Sequence, residues 1–327
     1  MALLLDASDM RHVLPLADTR GALLDSHQQW AKGLVDVPPR LTADARDGKG
    51  WITVGPALMN GSGYMGFKSM NRRPGLGVRY LVMLYEISSG ALLALMDANA
   101  LTTARTAATN AIGTAALARK DARTLGIVGS GVQARAALRE LAELRQFDRI
   151  TVFSPRPESR DDFAAHIREH YQLPVQTAAS CEHVAAENDI LLLAFRAPTQ
   201  PVLAAEWLRP GMHVTGLSSV RPEAREVADE VWLRSDVVVL DGLGSVAQSG
   251  DGRSITARGI DLGAYPELWE VTTGKASGRT GAEQITLFKS SGDSAQDVAA
   301  AAAAYEKAVE LGIGRELGDF PEVKPYE

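Results

Sequence analysis

The chain has 327 residues, 46% hydrophobic and 23% charged, the proportions of an ordinary soluble globular protein with material for two domains. A formal net charge of -6 provides no basic field for a phosphate backbone, so nucleic acid is excluded as the expected partner. The single cysteine, Cys181, excludes an intrachain disulfide and a thiolate metal cluster, and it fits a reducing, cytoplasmic compartment.

In chain order, the N-terminal MALLLDASDMRH has an apolar run too short for a secretion signal and no basic segment before it. Apolar stretches at 51–54, 64–70, 80–87 and 91–96 follow, separated by Gly, Pro, Asn and Ser. They predict a largely antiparallel sheet. The most hydrophobic region, 80–101, is interrupted by Glu86, Ser88-Ser89-Gly90 and Asp97, which predicts two strands and a turn rather than a membrane span. Two cations stand out in this part. Arg40 follows Pro38-Pro39, where a solvated loop residue is the ordinary reading, and Lys68 lies in a strand, where an outward edge charge is ordinary.

From Thr102 the string TTARTAATNAIGTAALARK is Ala-rich and predicts a helix that joins the two domains, with Thr102 or Thr103 as its N-cap. That places Arg105 in the first turn, where a cation opposes the helix dipole. Its presence there is easier to explain if it faces an anion, either a substrate group or a cofactor pyrophosphate.

The segment TLGIVGSGVQARAALRELAEL at 124–144 carries the strongest local signal. An apolar strand runs into Gly129-Ser130-Gly131-Val132-Gln133-Ala134 and then directly into an amphipathic helix. Gly129 permits the tight turn, Gly131 admits a pyrophosphate to the backbone, and Ala134 allows close packing of the helix on the sheet. The helix N-terminus would receive the anion. The glycine string alone also fits an ordinary turn. The buried strand before it and the strand at 150–153 after it give the spacing of a βαβ unit.

That second strand ends Phe153-Ser154-Pro155-Arg156, without the carboxylate that receives the ribose hydroxyls of NAD. Ser154, Arg156 and Arg160 favour NADP(H), with NAD(H) left open, since both arginines also read as solvated charges opening a helix. Strands at 175–177, 190–195, 213–217 and 237–240 alternate with helical stretches and complete a doubly wound parallel sheet. The last long helix begins near Ser294, where Ser294-Ala295-Gln296-Asp297 resembles a capping box with Asp for Glu, and runs to Gly312. No internal repeat is present. His166 and His170 are four apart but have no third ligand nearby, so no metal site is expected.

The segments VGPALMNGSGYMGFKSM, LTTARTAATNAIGTAALA, LGIVGSGVQA, GMHVTGLSSVRPEAREVADE and ITLFKSSGDSAQD, in this order and spacing, resemble the ornithine cyclodeaminase and mu-crystallin family over nearly the whole chain. The resemblance implies an α/β protein in which a strand-rich α+β domain (1–112 and 299–327) binds substrate and forms a homodimer. A Rossmann NAD(P)-binding domain would occupy 113–298. It also implies that Arg40 and Arg105 hold the carboxylate of an α-amino or α-imino acid and that Lys68 lies at the reacting centre. Together with the glycine motif, it gives Thr106, Gly129, Ser130, Gly131, Val132, Gln133, Ser154, Arg156, Ser219, Ser291 and Gly292 as the expected cofactor-binding set.

The family holds lyases and reductases. Its cyclodeaminases carry a segment of the form G-x-D-x-P-G-K-x-E-L whose Asp acts in ring closure. Aligning Pro222 and Glu226 with it puts Val220 at that Asp, so the segment resembles the ketimine-reductase and alanine-dehydrogenase branches instead. Gln248 and Phe195-Arg196 also depart from the common pattern and bear on the substrate pocket. The expected function is reduction of a small α-imino acid, of the Δ1-pyrroline-2-carboxylate or Δ1-piperideine-2-carboxylate type, to the L-amino acid. The alternatives are an alanine-dehydrogenase-like enzyme, an ornithine cyclodeaminase and a non-catalytic NADPH-dependent binding protein.

Overall fold

The structure, a computed structural model, describes residues 2–196, 198–217, 221–318 and 320–324. Two compact units emerge, Met1–Arg105 with Asp293–Glu327 and Thr106–Gly292. The divides thus fall at 105/106 and 292/293, against 112/113 and 298/299 expected from the sequence. The first lies inside a helix and the second just before another.

The chain opens with β1 (Leu3–Leu5), α1 (Ala7–Val13), α2 (Thr19–Ala31), β2 (Val35–Asp36) and β3 (Leu41–Asp44). Next come the long strands β4 (Trp51–Met59), β5 (Tyr64–Arg73), β6 (Gly77–Glu86) and β7 (Leu92–Asp97), followed by α3 (Asn99–Leu117). The second unit then alternates β8 (Thr124–Val128), α4 (Val132–Leu144), β9 (Arg149–Phe153), α5 (Pro157–Tyr171), β10 (Val175–Thr177), α6 (Cys181–Glu187), β11 (Ile190–Leu193) and β12 (His213–Leu217). It continues through α7 (Asp229–Arg234), β13 (Val237–Leu240), α8 (Leu243–Gln248), α9 (Gly250–Ala257), α10 (Leu268–Thr272) and β14 (Thr286–Ser290). Helix α11 (Ser294–Leu311) and β15 (Arg315–Glu316) return to the first unit.

The sheet of the first unit has the order β15-β1-β7-β6-β5-β4-β2, with β3 also on β4. It is mixed rather than wholly antiparallel, because the N-terminal apolar run becomes β1 and pairs parallel to β7. Strand β4 continues through Pro56, which the sequence reading took as punctuation. On its outer side β3 pairs with 51–54 and β2 with 58–59, and Pro56 falls in the gap, where a strand tolerates a residue without an N–H. Alternate residues of β4 (Thr53, Gly55, Ala57 and Met59) and of β7 (Leu92, Ala94 and Met96) face inward. Helix α11 packs across β4, β5 and β6. Its buried alanines, including Ala299, Ala300 and Ala301, let the helix lie close to the strands.

The second unit is a parallel sheet of order β10-β9-β8-β11-β12-β14-β13. Ile190 and Leu192 of β11 enter one core, with Leu125, Ile127 and Phe163; Leu191 and Leu193 enter the other, with Val214, Trp232 and Leu287. Burial on both faces is why this strand reads as an unbroken apolar run. Strand order reverses at β8, the switch point at whose carboxyl end open α/β sheets bind their ligands.

Candidate active site

In the second unit, β8 is followed directly by Gly129, whose φ is 123°. A Cβ there would lie 2.1 Å from the Ala194 carbonyl oxygen, so the tight turn requires glycine. Gly131 is the N-cap of α4, and no side chain caps this helix, which leaves its first N–H groups for an anion. A Cβ on Gly131 would meet no atom within 4 Å, as expected of backbone facing a ligand site. Val132, in the first turn, is 66% exposed, Gln133 has a buried side-chain oxygen without a partner among the described residues, and Ala134 is fully buried against the sheet. Ser130 is half-buried beside them. Gly129→Ala is expected to cost about 1–3 kcal/mol through forced backbone strain and to weaken NADH binding. Urea unfolding and fluorescence titration with NADH check this, and unchanged values in both would overturn the account of the turn.

Ser154 follows β9 and is buried, whereas Arg156 is exposed and its guanidinium makes no ion pair among the described residues. Arg160 donates from Nη1 to the Ala178 carbonyl at 3.0 Å and is thereby tied to the fold. At the end of β14, the Asp241 carboxylate accepts from the backbone N–H of Ser291 (2.9 Å) and Gly292 (2.8 Å), and from Ser290 Oγ (2.7 Å). Asp241 therefore fixes the backbone of this expected contact segment, and the buried Ser291 Oγ has no partner among the described residues. Thr106 is half-buried on α3. Ser219 and Val220 lie outside the described residues. The open face of Gly131 and the uncapped helix fit a pyrophosphate on α4, and the orphan oxygens of Gln133 and Ser291 are free to receive a dinucleotide's polar groups.

In the first unit, Lys68 is not an edge charge. Strand β5 is flanked on both sides, with Lys68 opposite Gly55 on β4 and Val82 on β6, and the side chain points inward at 6% exposure. Its Nζ donates to Asp297 Oδ1 at 2.7 Å and lies 5.8 Å from the centre of the Tyr80 ring. The same Oδ1 accepts from Arg105 Nε at 2.9 Å, and Arg105 Nη1 donates to Gln296 Oε1 at 3.4 Å. Burial pushes the Lys68 ammonium down, as do Arg105 and Arg40; Asp297 pulls it back, and the balance is about 7. Burial would raise the Asp297 carboxyl, but Lys68, Arg105 and Arg40 outweigh it and hold it below the usual range. Arg40 is half-buried and enters through the gap left by Gly55, where a Cβ would stand 3.1 Å from Arg40 Cγ and 2.5 Å from Ser294 Oγ. The structure thus brings together Arg40, Lys68 and Arg105, and the Ser294 hydroxyl at the Gly55 gap has no partner among the described residues.

The helix-terminus argument for Arg105 does not hold. Asp97 accepts the Asn99 N–H, α3 starts at Asn99, and Thr103 Oγ1 bonds back to the Asn99 carbonyl from within the helix. Arg105 therefore lies beyond the first turn, and its anion is Asp297. Nor does Ser294 open a capping box. Asp293 is the N-cap, accepting from the Ala295 N–H, and Asp297 turns to the two cations instead. Sequence reading missed Asp297 by treating it as cap chemistry. The signal was Asp293, a better cap one residue earlier.

The family model described as "Ornithine cyclodeaminase/mu-crystallin family" matches residues 2–312. The chain belongs to this family. A Delta(1)-pyrroline-2-carboxylate reductase of Bacillus cereus is 26% identical, the match spanning 96% of this chain and 99% of that protein. The ketimine reductase mu-crystallin of Mus musculus is 32% identical over 69% of this chain and 68% of its own length. The solved Delta(1)-pyrroline-2-carboxylate reductase of Thermococcus litoralis, in complex with NADH and L-proline, superposes with a TM-score of 0.89 at 31% identity, covering 96% of this chain and all of that one (100%). No described helix of this family member is long and apolar enough to cross a membrane.

Proposed function

We propose that the chain is an NAD(P)H-dependent reductase of a small α-imino acid, of the Δ1-pyrroline-2-carboxylate or Δ1-piperideine-2-carboxylate type, giving the L-amino acid. The observation that carries this reading is the buried cluster in which Lys68, Arg105 and Arg40 face a single carboxylate, Asp297. Lys68 and Arg105 are buried and share one oxygen of that carboxylate, and a substrate carboxylate is the group that their remaining donors can receive. A nicotinamide cofactor held at 129–133 and 291–292 would supply the hydride that the imine carbon takes up. Arg105 and Arg40 bind and orient the substrate carboxylate, and Lys68, near-neutral in its proton affinity, delivers the proton that the nitrogen acquires. The relatives named for imino-acid reduction, one of them solved with NADH and L-proline, support the same chemistry.

NADP(H) is the preferred cofactor, on the strength of the neutral Ser154 and the uncommitted Arg156; the engagement of Arg160 leaves the preference resting on Arg156. The chain acts as a homodimer through its first unit, which exposes Leu41 (73%) and Ile52 (47%) on its sheet and Leu76 (67%) in the β5–β6 turn. An archaeal alanine dehydrogenase dimer with bound NAD, which superposes with a TM-score of 0.90 at 26% identity, supports this and favours amino-acid dehydrogenation as the second reading. Val220, which offers no carboxylate to a side-chain amine, weighs against cyclodeamination.

The test is oxidation of NADPH and of NADH with each cyclic imino acid and with pyruvate plus ammonia, alongside ammonia release from L-ornithine. Rapid turnover of a cyclic imine, with kcat/KM higher for NADPH, is the expected result. Ammonia from ornithine without net cofactor consumption would overturn the reductase reading, and equal or better use of NADH would overturn the cofactor preference.

A further inference from the structure

Asp297 has no part in the chemistry described so far, yet it is the group on which the buried cations converge. We propose that Asp297 is a positioning residue: one carboxylate oxygen, accepting from Lys68 Nζ and Arg105 Nε together, fixes the proton donor beside the carboxylate clamp. The role rests on the reductase reading given above.

The geometry is specific. A shared Oδ1, at 2.7 Å from one nitrogen and 2.9 Å from the other, holds the strand cation and the helix cation within one carboxylate's reach of each other. Two like charges do not stay that close in a buried place without an anion between them. Asp297 is 1% exposed in the first turn of α11, where the helix dipole also favours a carboxylate. The charged and titratable groups around the pair are Arg40 before β3, Tyr80 on β6, Arg105 on α3 and Asp297 on α11. Of the two cations that bond it, Lys68 and Arg105, Asp297 offsets one positive charge. Without it, Lys68 would be buried against Arg105 and Arg40 and would give up its proton at lower pH.

Asp297→Asn keeps the shape and an acceptor oxygen but removes the charge. With Δ1-piperideine-2-carboxylate and NADH, the fall of kcat with rising pH is expected to move down by at least about one pH unit. At pH 8 kcat should drop at least about tenfold, with KM for NADH unchanged. A folded Asn variant with the wild-type pH profile and kcat would overturn the role. If Asn does not fold, Asp297→Glu answers the same question, since it keeps the charge and displaces the oxygen by a methylene. Its pH profile should stay in place while kcat falls at least about tenfold, and an undiminished kcat would overturn the positioning. A wild type that turns over no imino acid would refute the reductase reading, and the role with it; a wild type that turns over beside an unaltered Asn variant refutes the role alone.

Discussion

Lys68→Met is expected to lower kcat for imino-acid reduction by about 10²–10⁴-fold, the range removed with a positioned proton donor, and to leave NADH binding intact. The fold should tolerate the change, because methionine fills similar volume and Asp297 keeps Arg105 as its partner. The cofactor groups named here, at 129–133 and 291–292, belong to the other unit. The wild type should also show a characteristic pH dependence. An ammonium with a pKa of about 7 rather than the ordinary lysine value carries its proton below neutrality and loses it as pH rises through that range. Reduction should therefore slow above about pH 7, and Lys68→Met should show a low residual rate without that descent. Steady-state rates across pH and NADH fluorescence titration check both parts. Substantial turnover with an unaltered pH profile would remove Lys68 from the reaction.

The sequence revealed most where a backbone requirement dictates a residue type. Gly129 can be read from the chain because φ 123° and the approach of Ala194 admit nothing larger. The double burial of β11 can be read from four consecutive apolar residues, Ile190–Leu193. What stayed hidden depends on contacts distant in sequence. Asp297 and Lys68 are separated by 229 positions, and no periodicity announces that a carboxylate on one helix will turn toward a strand lysine rather than its own helix end. Asp241 was hidden in the same way, since it supports the 290–292 backbone from another strand's end. Short β1 and β15 are set by their partners more than by their own composition. Arg105 was singled out for a mistaken local reason, yet it does face an anion, because a buried guanidinium requires one wherever it sits in a helix.

The same requirement gives the second large expectation, at Lys289. This lysine is fully buried on β14, with Nζ 2.6 Å from Glu226 Oε2 and 2.9 Å from Asp251 Oδ2. Burial alone would lower its pKa, but Asp251 and Glu226 outweigh burial and raise it to about 12. Asp251 has a second cation, Arg225, at 2.9 Å from Nε, and also accepts the Glu226 N–H. Lys289→Met removes the cation the two carboxylates share, and breaking a buried ion pair by removing one partner costs about 3–5 kcal/mol, read as a lower urea midpoint.

Lys289, with its folded pKa raised to about 12 from the ordinary 10.5, contributes stability that is fully present below the ordinary value and lost as pH rises through the folded one, so the loss in the variant is already complete at pH 8. Adding Glu226→Gln removes one of the two charges and should recover a large part of the loss at pH 8. A single variant with an unchanged midpoint at pH 8 would overturn this account. Glu226 lies in the segment that follows residues 218–220, and Lys289 immediately precedes the backbone held by Asp241. The buried triad therefore ties the expected nicotinamide-side segment at 291–292 to the segment that begins at Arg221. Loss of Lys289 should accordingly weaken cofactor affinity as well as stability, a pairing that a simple core cavity would not produce.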